Sequence, residues 1–280
     1  MASKVKITTL IENTALGYDL VAEHGLSFWI EYNGKNILFD TGQTGSITKN
    51  AKILGIDLAT TDAIIISHGH YDHTGGLNAV LSIAEHANIY MHPAAVNQKF
   101  SMKASGTSRS IGIPTNIGSI LDAHTEANKV IWTQGPTEIL PGLFVTGQVP
   151  RAGESSAEAD EFFLDADCAH PDDIDDDQTL FFETESGIVV VFGCAHAGIY
   201  NILKYIVKLA GTDNIHAVMG GMHLLHASDA GINRAIKTLS RYDIQKFGPA
   251  HCTGLEAAMK MRESFPKKCF MCSVGTTIEF

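Results

Sequence analysis

Ala63-Ile64-Ile65-Ile66-Ser67-His68-Gly69-His70-Tyr71-Asp72-His73 runs from a short, continuous apolar stretch straight into three histidines and an aspartate. The apolar half reads as a strand buried on both faces, as in a parallel sheet. The polar half places imidazole nitrogen and carboxylate oxygen within six residues, the donor set that a borderline divalent ion such as zinc prefers. Gly69 allows a sharp turn between His68 and His70, while Asp72 and His73 follow on the next turn. After Gly75-Gly76, Leu77, Val80, Leu81 and Ala84 recur at helical spacing, so the donors lie in a strand-to-helix loop. Asn88-Ile89-Tyr90-Met91-His92-Pro93 then reads as a further strand stopped by proline.

Moving outward, Ile37-Leu38-Phe39-Asp40-Thr41-Gly42 is an earlier strand ending in aspartate. Downstream, Thr179 to Thr184 and Gly187 to Gly193 read as paired strands joined by a Glu185-Ser186-Gly187 turn. A helix is expected from about Ala197 to Ala210, a strand from Ile215 to Gly221, helices over Asp229–Tyr242 and Leu255–Phe265, and a closing strand over Cys272–Phe280. Both halves run from sheet to helix, so an α/β chain with two sheets packed face to face and helices outside is expected. Residues 154–177 carry Asp172-Asp173-Ile174-Asp175-Asp176-Asp177 and read as a solvated connection whose last residues abut a strand, so that Asp177 alone is placed to face a site. Residues 101–119, rich in Gly, Ser and Thr, read as a mobile loop over the pocket.

With 280 residues and 45% hydrophobic content, one domain spanning 1–280 can bury a large core. A formal net charge of −11 argues against sequence-independent nucleic-acid binding, which relies on many Lys and Arg contacts to phosphate. No segment has the length and apolarity of a membrane span, and the N-terminal residues lack a signal-peptide core. A soluble cytoplasmic protein with no membrane or nucleic-acid partner is expected, acting on a small anionic molecule and open to homo-oligomerisation. Five scattered cysteines do not make a disulfide framework, and Cys269-x-x-Cys272 has no second pair to complete a zinc site.

The run His68-Gly69-His70-Tyr71-Asp72-His73 resembles the His-x-His-x-Asp-His signature of the metallo-β-lactamase superfamily, and the resemblance extends over nearly the whole chain. It implies a four-layer αββα sandwich of two mixed sheets and a divalent metal cofactor of one or two ions, zinc first, with manganese or iron as alternatives. Asp40 sits where that superfamily keeps a supporting aspartate. His196, in Gly193-Cys194-Ala195-His196-Ala197-Gly198, and His251, in Gly248-Pro249-Ala250-His251-Cys252-Thr253-Gly254, end apolar strands where further ligands are expected. The implied metal ligands are His68, His70, Asp72, His73, His196 and His251. The third and fourth blocks depart from the common pattern: if His196 stands in the fourth place, Asp177 or Gln178 falls in the third.

Three residues carry catalytic expectations: Asp72, His223 in Gly220-Gly221-Met222-His223-Leu224, and His24 in Glu23-His24-Gly25-Leu26-Ser27. His223 and His24 are read as facing the pocket in acid/base roles, with packing as the competing reading for His223. The same blocks resemble the subgroup named for 7,8-dihydropterin-6-methyl-4-(β-D-ribofuranosyl)aminobenzene-5′-phosphate synthase. That resemblance implies condensation of a dihydropterin methyl diphosphate with 4-(β-D-ribofuranosyl)aminobenzene 5′-phosphate in methanopterin-type biosynthesis. The alternatives are a metal-dependent hydrolase of a phosphoester, thioester or lactone and, in another class, an inactive metabolite-binding regulator. His86, His124, His170, His216 and His226 have no comparable context.

Overall fold

Ile64, Ile65 and Ile66 are fully buried in a computed structural model of the chain, which describes residues 5–103, 105–151 and 162–280. The strand Ala63–Ile65, which Ile66 directly follows, lies inside a seven-stranded sheet and pairs in parallel with Lys35–Phe39 on one side and Asn88–Met91 on the other. Both neighbours present apolar side chains, which explains an unbroken isoleucine run where alternation would mark a half-solvated strand. Val130–Trp132 extends the parallel half, and Ser27–Tyr32, Val5–Ile11 and Thr277–Glu279 complete the antiparallel half. Leu38, Ile64, Ile66, Ile89 and Met91 pack with Ile47 and Ala51 of helix Ser46–Ile53, Leu77, Val80 and Leu81 of helix Leu77–Leu81, and Ile117 and Leu121 of helix Thr115–Glu126.

These elements belong to the first of two compact units, made of described residues 5–134, 162–176 and 273–280. The second unit, residues 135–151 and 177–272, has a six-stranded sheet in the order Lys246–Ala250, Ile215–Gly221, Gly187–Phe192, Leu180–Thr184, Leu143–Val145, Thr137–Leu140. The first three of these strands are parallel neighbours and the rest antiparallel. Helix Ile199–Ala210 buries Ile199, Ile202, Leu203 and Ile206, a stripe at i, i+3, i+4 and i+7. With helices Asp229–Leu239 and Leu255–Ser264 it packs on Val190, Phe192, Val218 and Phe247 of the sheet.

Three expectations change. Residues 101–119, expected as a mobile loop, hold a small antiparallel sheet of Phe162–Phe163, Phe100–Met102 and Ser108–Ser110, followed by the start of helix Thr115–Glu126; Ala104 lies outside the described residues. The closing strand shrinks to Thr277–Glu279, with Val274 making a single bridge to Ala15. The third change concerns the aspartate run. Residues 154–161 lie outside the described part, but Asp176 is buried instead of solvated, accepting a backbone N–H as the buried Asp177 also does. No helix among the described residues is long and apolar enough to cross a membrane.

Candidate metal centre

In the first unit the site is assembled around one buried carboxylate. Asp40 leaves the carboxyl end of strand Lys35–Phe39 in a left-handed conformation, φ 59°, which costs of order 1 kcal/mol and is tolerated best by Asp and Asn among residues with side chains. That turn aims the carboxylate at the neighbouring strand end. Oδ1 accepts the Ser67 backbone N–H at 2.7 Å, and Oδ2 accepts the Ser67 hydroxyl at 2.7 Å and His73 Nδ1 at 2.6 Å. Asp40 thereby joins the first and last residues of the Ser67–His73 run. Because Nδ1 of His73 donates to Asp40, its Nε2 is the nitrogen left to bind a cation.

The other rings pack beside it. His68 lies 4.2 Å from His73 and 4.5 Å from His70, centroid to centroid, and His68 Nε2 faces His70 Nδ1 at 3.0 Å. Burial drives the His70 pKa down to about 3, so the ring is neutral at physiological pH, the form that ligates a metal. Asp72, on the one-turn helix Tyr71–Thr74, places Oδ2 at 3.9 Å from His73 Nε2 and 3.1 Å from His24 Nε2. Three buried imidazoles, a carboxylate beside them and a second carboxylate behind His73 match the donor chemistry of a borderline divalent ion, so these residues fit the cofactor that the motif implies.

Gly69 is required for a reason different from a turn. Its φ is not positive; instead a Cβ there would overlap the backbone carbonyl of Ala95, so only glycine lets the loop lie on that chain. Gly25 does the same job for the His24 loop. At φ 149° its Cα sits against the Asp72 carbonyl, which accepts the Leu26 N–H at 3.3 Å. His24 is thus held beside Asp72 by backbone while its side chain stays 45% exposed, open to a substrate. Tyr71 is covered by the Arg109 guanidinium, 4.6 Å from the ring centroid, and desolvation followed by the Asp72 charge raises its phenol pKa.

In the second unit, His196, His223 and His251 follow the carboxyl ends of three adjacent parallel strands, Gly187–Phe192, Ile215–Gly221 and Lys246–Ala250. This edge is where α/β sheets bind ligands. Each strand exit is bent into a left-handed conformation at a non-glycine residue: Ala195 at φ 56°, His223 at 52° and His251 at 47°. Such strain persists only where the surroundings over-determine it. Asp177 Oδ2 accepts the Ala197 N–H at 2.9 Å and so holds the His196 turn, and the His196 and His223 rings lie 4.4 Å apart. The Cys252 thiol accepts the His223 N–H at 3.3 Å and approaches the Cys194 carbonyl at 3.7 Å. Burial would raise the Cys252 pKa, but hydrogen bonding to Cys194 and His223 and the nearby His251 and His223 charges bring it well below a normal thiol.

Within the first unit the structure therefore gathers His24, His68, His70, Asp72 and His73; within the second it gathers His196, His223 and His251, with Asp177 behind His196. His170 pairs with Asp165 on the exposed surface, and His124 bonds its own helix at the Ile120 carbonyl, in keeping with background roles. Sequence reasoning missed Asp176, whose Oδ2 accepts the Gly69 N–H at 2.6 Å, and Lys99, which pairs with it. Asp176 adjoins a strand as Asp177 does, and that position was the available signal. Lys99, a lysine between Gln98 and Phe100, offered none.

The family model for the metallo-beta-lactamase superfamily matches residues 20–147. The 7,8-dihydropterin-6-methyl-4-(beta-D-ribofuranosyl)-aminobenzene-5′-phosphate synthase of Methanocaldococcus jannaschii is 32% identical over 99% of this chain and 97% of its own. The uncharacterized protein MJ0448 of the same organism is 34% identical over 92% of this chain and 94% of its own. The crystal structure of Tm1679, described as a metal-dependent hydrolase of the beta-lactamase superfamily, superposes with a TM-score of 0.79 at 31% identity, covering 99% of both chains.

Proposed function

Because this chain belongs to the metallo-β-lactamase superfamily and has its fold, we propose that it is a metal-dependent synthase joining a dihydropterin methyl diphosphate to 4-(β-D-ribofuranosyl)aminobenzene 5′-phosphate, or a close relative of that enzyme. The observation that carries this reading is the 32% identity to the Methanocaldococcus synthase across 99% of the chain. In the reaction a bond forms between the aniline nitrogen and the pterin methylene carbon, the carbon–oxygen bond to diphosphate breaks, and the nitrogen loses a proton. When bound, a divalent ion would supply positive charge to the diphosphate leaving group.

The residues of this chain then have distinct tasks. In one unit His68, His70, Asp72 and His73 are assigned to metal, with Asp40 fixing the tautomer of His73; in the other, His196 and His251. His24, half exposed and 3.1 Å from Asp72, is suited to receive the proton from the aniline nitrogen, and His223 is the alternative carrier. The Arg109 guanidinium over Tyr71 offers a cation to a substrate phosphate, which suits two phosphorylated substrates better than a neutral lactone.

A second reading, hydrolysis of a phosphoester, thioester or lactone, draws support from the likeness to Tm1679 at 31% identity over 99% of both chains. The two separate cleanly in one assay. Purified metal-loaded protein is given the dihydropterin methyl diphosphate with and without the ribosylated aniline phosphate, and diphosphate release is followed. Release only when the aniline is present, with one coupled product per diphosphate, is the expected result. Release at the same rate without the aniline assigns the hydrolase, and no release with either mixture removes the synthase reading.

A further inference from the structure

Lys99 is 1% exposed, although it has no part in the chemistry described so far. A buried ammonium without counter-charge costs several kcal/mol, and here two carboxylates answer it: Asp172 Oδ2 at 2.8 Å and Asp176 Oδ1 at 2.7 Å. Burial alone would lower the Lys99 pKa, but Asp176 and Asp172 hold it above the ordinary lysine value, so the residue stays charged.

The cluster then reaches the candidate ligands by three routes. Through the side chain, Asp176 Oδ2 accepts the Gly69 N–H at 2.6 Å. Through the backbone, the Lys99 carbonyl accepts the Ile111 N–H at 2.8 Å, and the Ile111 carbonyl accepts the Tyr71 N–H at 2.9 Å. Gly69 and Tyr71 are the residues on either side of His70. Asp172 adds a third link: its N–H donates to the Phe162 carbonyl at 2.8 Å, and the Phe162 ring packs 5.1 Å from the His70 ring. Peptide groups on both flanks of one candidate ligand, and the ring itself, are thus fixed by partners that trace to a single lysine.

We propose that Lys99 is a positioning residue for His70: its buried ammonium locks Asp176, which holds the Gly69 peptide, and Asp172, whose N–H holds Phe162 beside the ring, while its backbone carbonyl steadies the Tyr71 peptide through Ile111. The proposal rests on the assignment of His70 as a metal ligand and requires nothing about the substrate. Charge is the essential property, because a neutral side chain of equal length leaves two buried carboxylates without their counter-charge and Asp176 with only the Gly69 N–H to orient it.

The test is direct titration of the metal-free protein with cobalt(II) against a competing chelator, with the visible d–d spectrum recorded at saturation. Lys99→Met and Asp176→Ala are expected to weaken cobalt binding about tenfold or more, the scale of losses at residues that support metal ligands, and to change the saturated spectrum. Lys99→Arg, which keeps the charge, is expected to remain within a few-fold of wild type. If Lys99→Met fails to fold by circular dichroism, Asp176→Ala decides alone, since it leaves Lys99 paired with Asp172. Folded variants with wild-type affinity and spectrum overturn the proposal. Wild type that binds no cobalt instead overturns the ligand assignment beneath it, so the two failures are distinguishable.

Discussion

The two histidine sets of this molecule are built on opposite plans. In the first unit His68, His70 and His73 come from six consecutive residues, and hydrogen bonds to two buried carboxylates, Asp40 and Asp176, give the loop its shape. In the second, His196, His223 and His251 come from three separate strand exits, and the parallel sheet register together with three left-handed residues sets their places. The difference teaches how each set fails. A loop shaped by a few polar contacts is sensitive to the loss of one acceptor, whereas strand ends are as secure as the sheet and its helical cover.

The largest effect is expected where a candidate ligand also holds the loop together. His73→Ala removes a ring nitrogen from the ligand set and leaves Asp40 without its imidazole partner, so turnover should fall by roughly 1,000-fold and bound metal per chain should drop. Steady-state rates beside elemental analysis check both, and full metal occupancy in this variant would mean that the contiguous run is not the ligand loop. His24→Gln should behave differently. Turnover with both substrates should fall by roughly 100-fold while metal content stays at the wild-type level, the mark of a proton carrier. Unchanged turnover there leaves His223 as the sole candidate, to be tested with His223→Gln.

Next in size is Asp40→Asn. It keeps an acceptor but removes the charge behind His73, and metal affinity should weaken by about 10-fold to 100-fold with the fold intact. The pH response should also set the two regions apart. The His70 pKa is lowered to about 3 in the folded protein from 6.5, so the unfolded chain binds the extra proton first as pH falls. Stability from this group is complete above about 6.5 and is lost as pH drops toward about 3. Urea unfolding of the metal-free protein across that window should show a falling midpoint; a flat profile would show that His70 is not buried in solution. The smallest effect on metal is expected in the second unit's core. Ile202→Ala should cost about 2–5 kcal/mol of stability in the same unfolding assay while metal affinity stays within a few-fold of wild type.

How much of this was legible beforehand follows the same division. The Ala63–His73 run displayed its chemistry because strand and donors are contiguous, and Asp40 could be placed because its strand ends where the superfamily that the run resembles keeps a supporting aspartate. The strand-end histidines were legible only one at a time: periodicity located His196, His223 and His251 after apolar strands, but not the neighbouring parallel order that brings the three strand ends to one sheet edge. The supporting layer was legible only in the position of Asp176 beside a strand. Asp172 and Asp176 read as solvated because charge patterns carry no record of a buried lysine 70-odd residues earlier in the chain, and Lys99 binds them only through tertiary structure. Gly69 was rightly singled out for the wrong reason, since the Ala95 carbonyl that forbids a Cβ lies on a different strand connection. The 101–119 segment misled because its Gly, Ser and Thr content resembles a loop, while its pairing with Phe162–Phe163 supplies a sheet partner from a distant part of the chain.

The central claim, that this chain is a metal-dependent member of its superfamily with His68, His70, Asp72 and His73 as ligands, is tested most directly by elemental analysis of protein purified without added metal and again after loading with zinc, manganese or iron. At least one equivalent of metal per chain is expected in wild type, with a clear loss in His68→Ala and His73→Ala variants that remain folded. Wild type that holds no metal after any loading, or variants that hold as much as wild type, would contradict it.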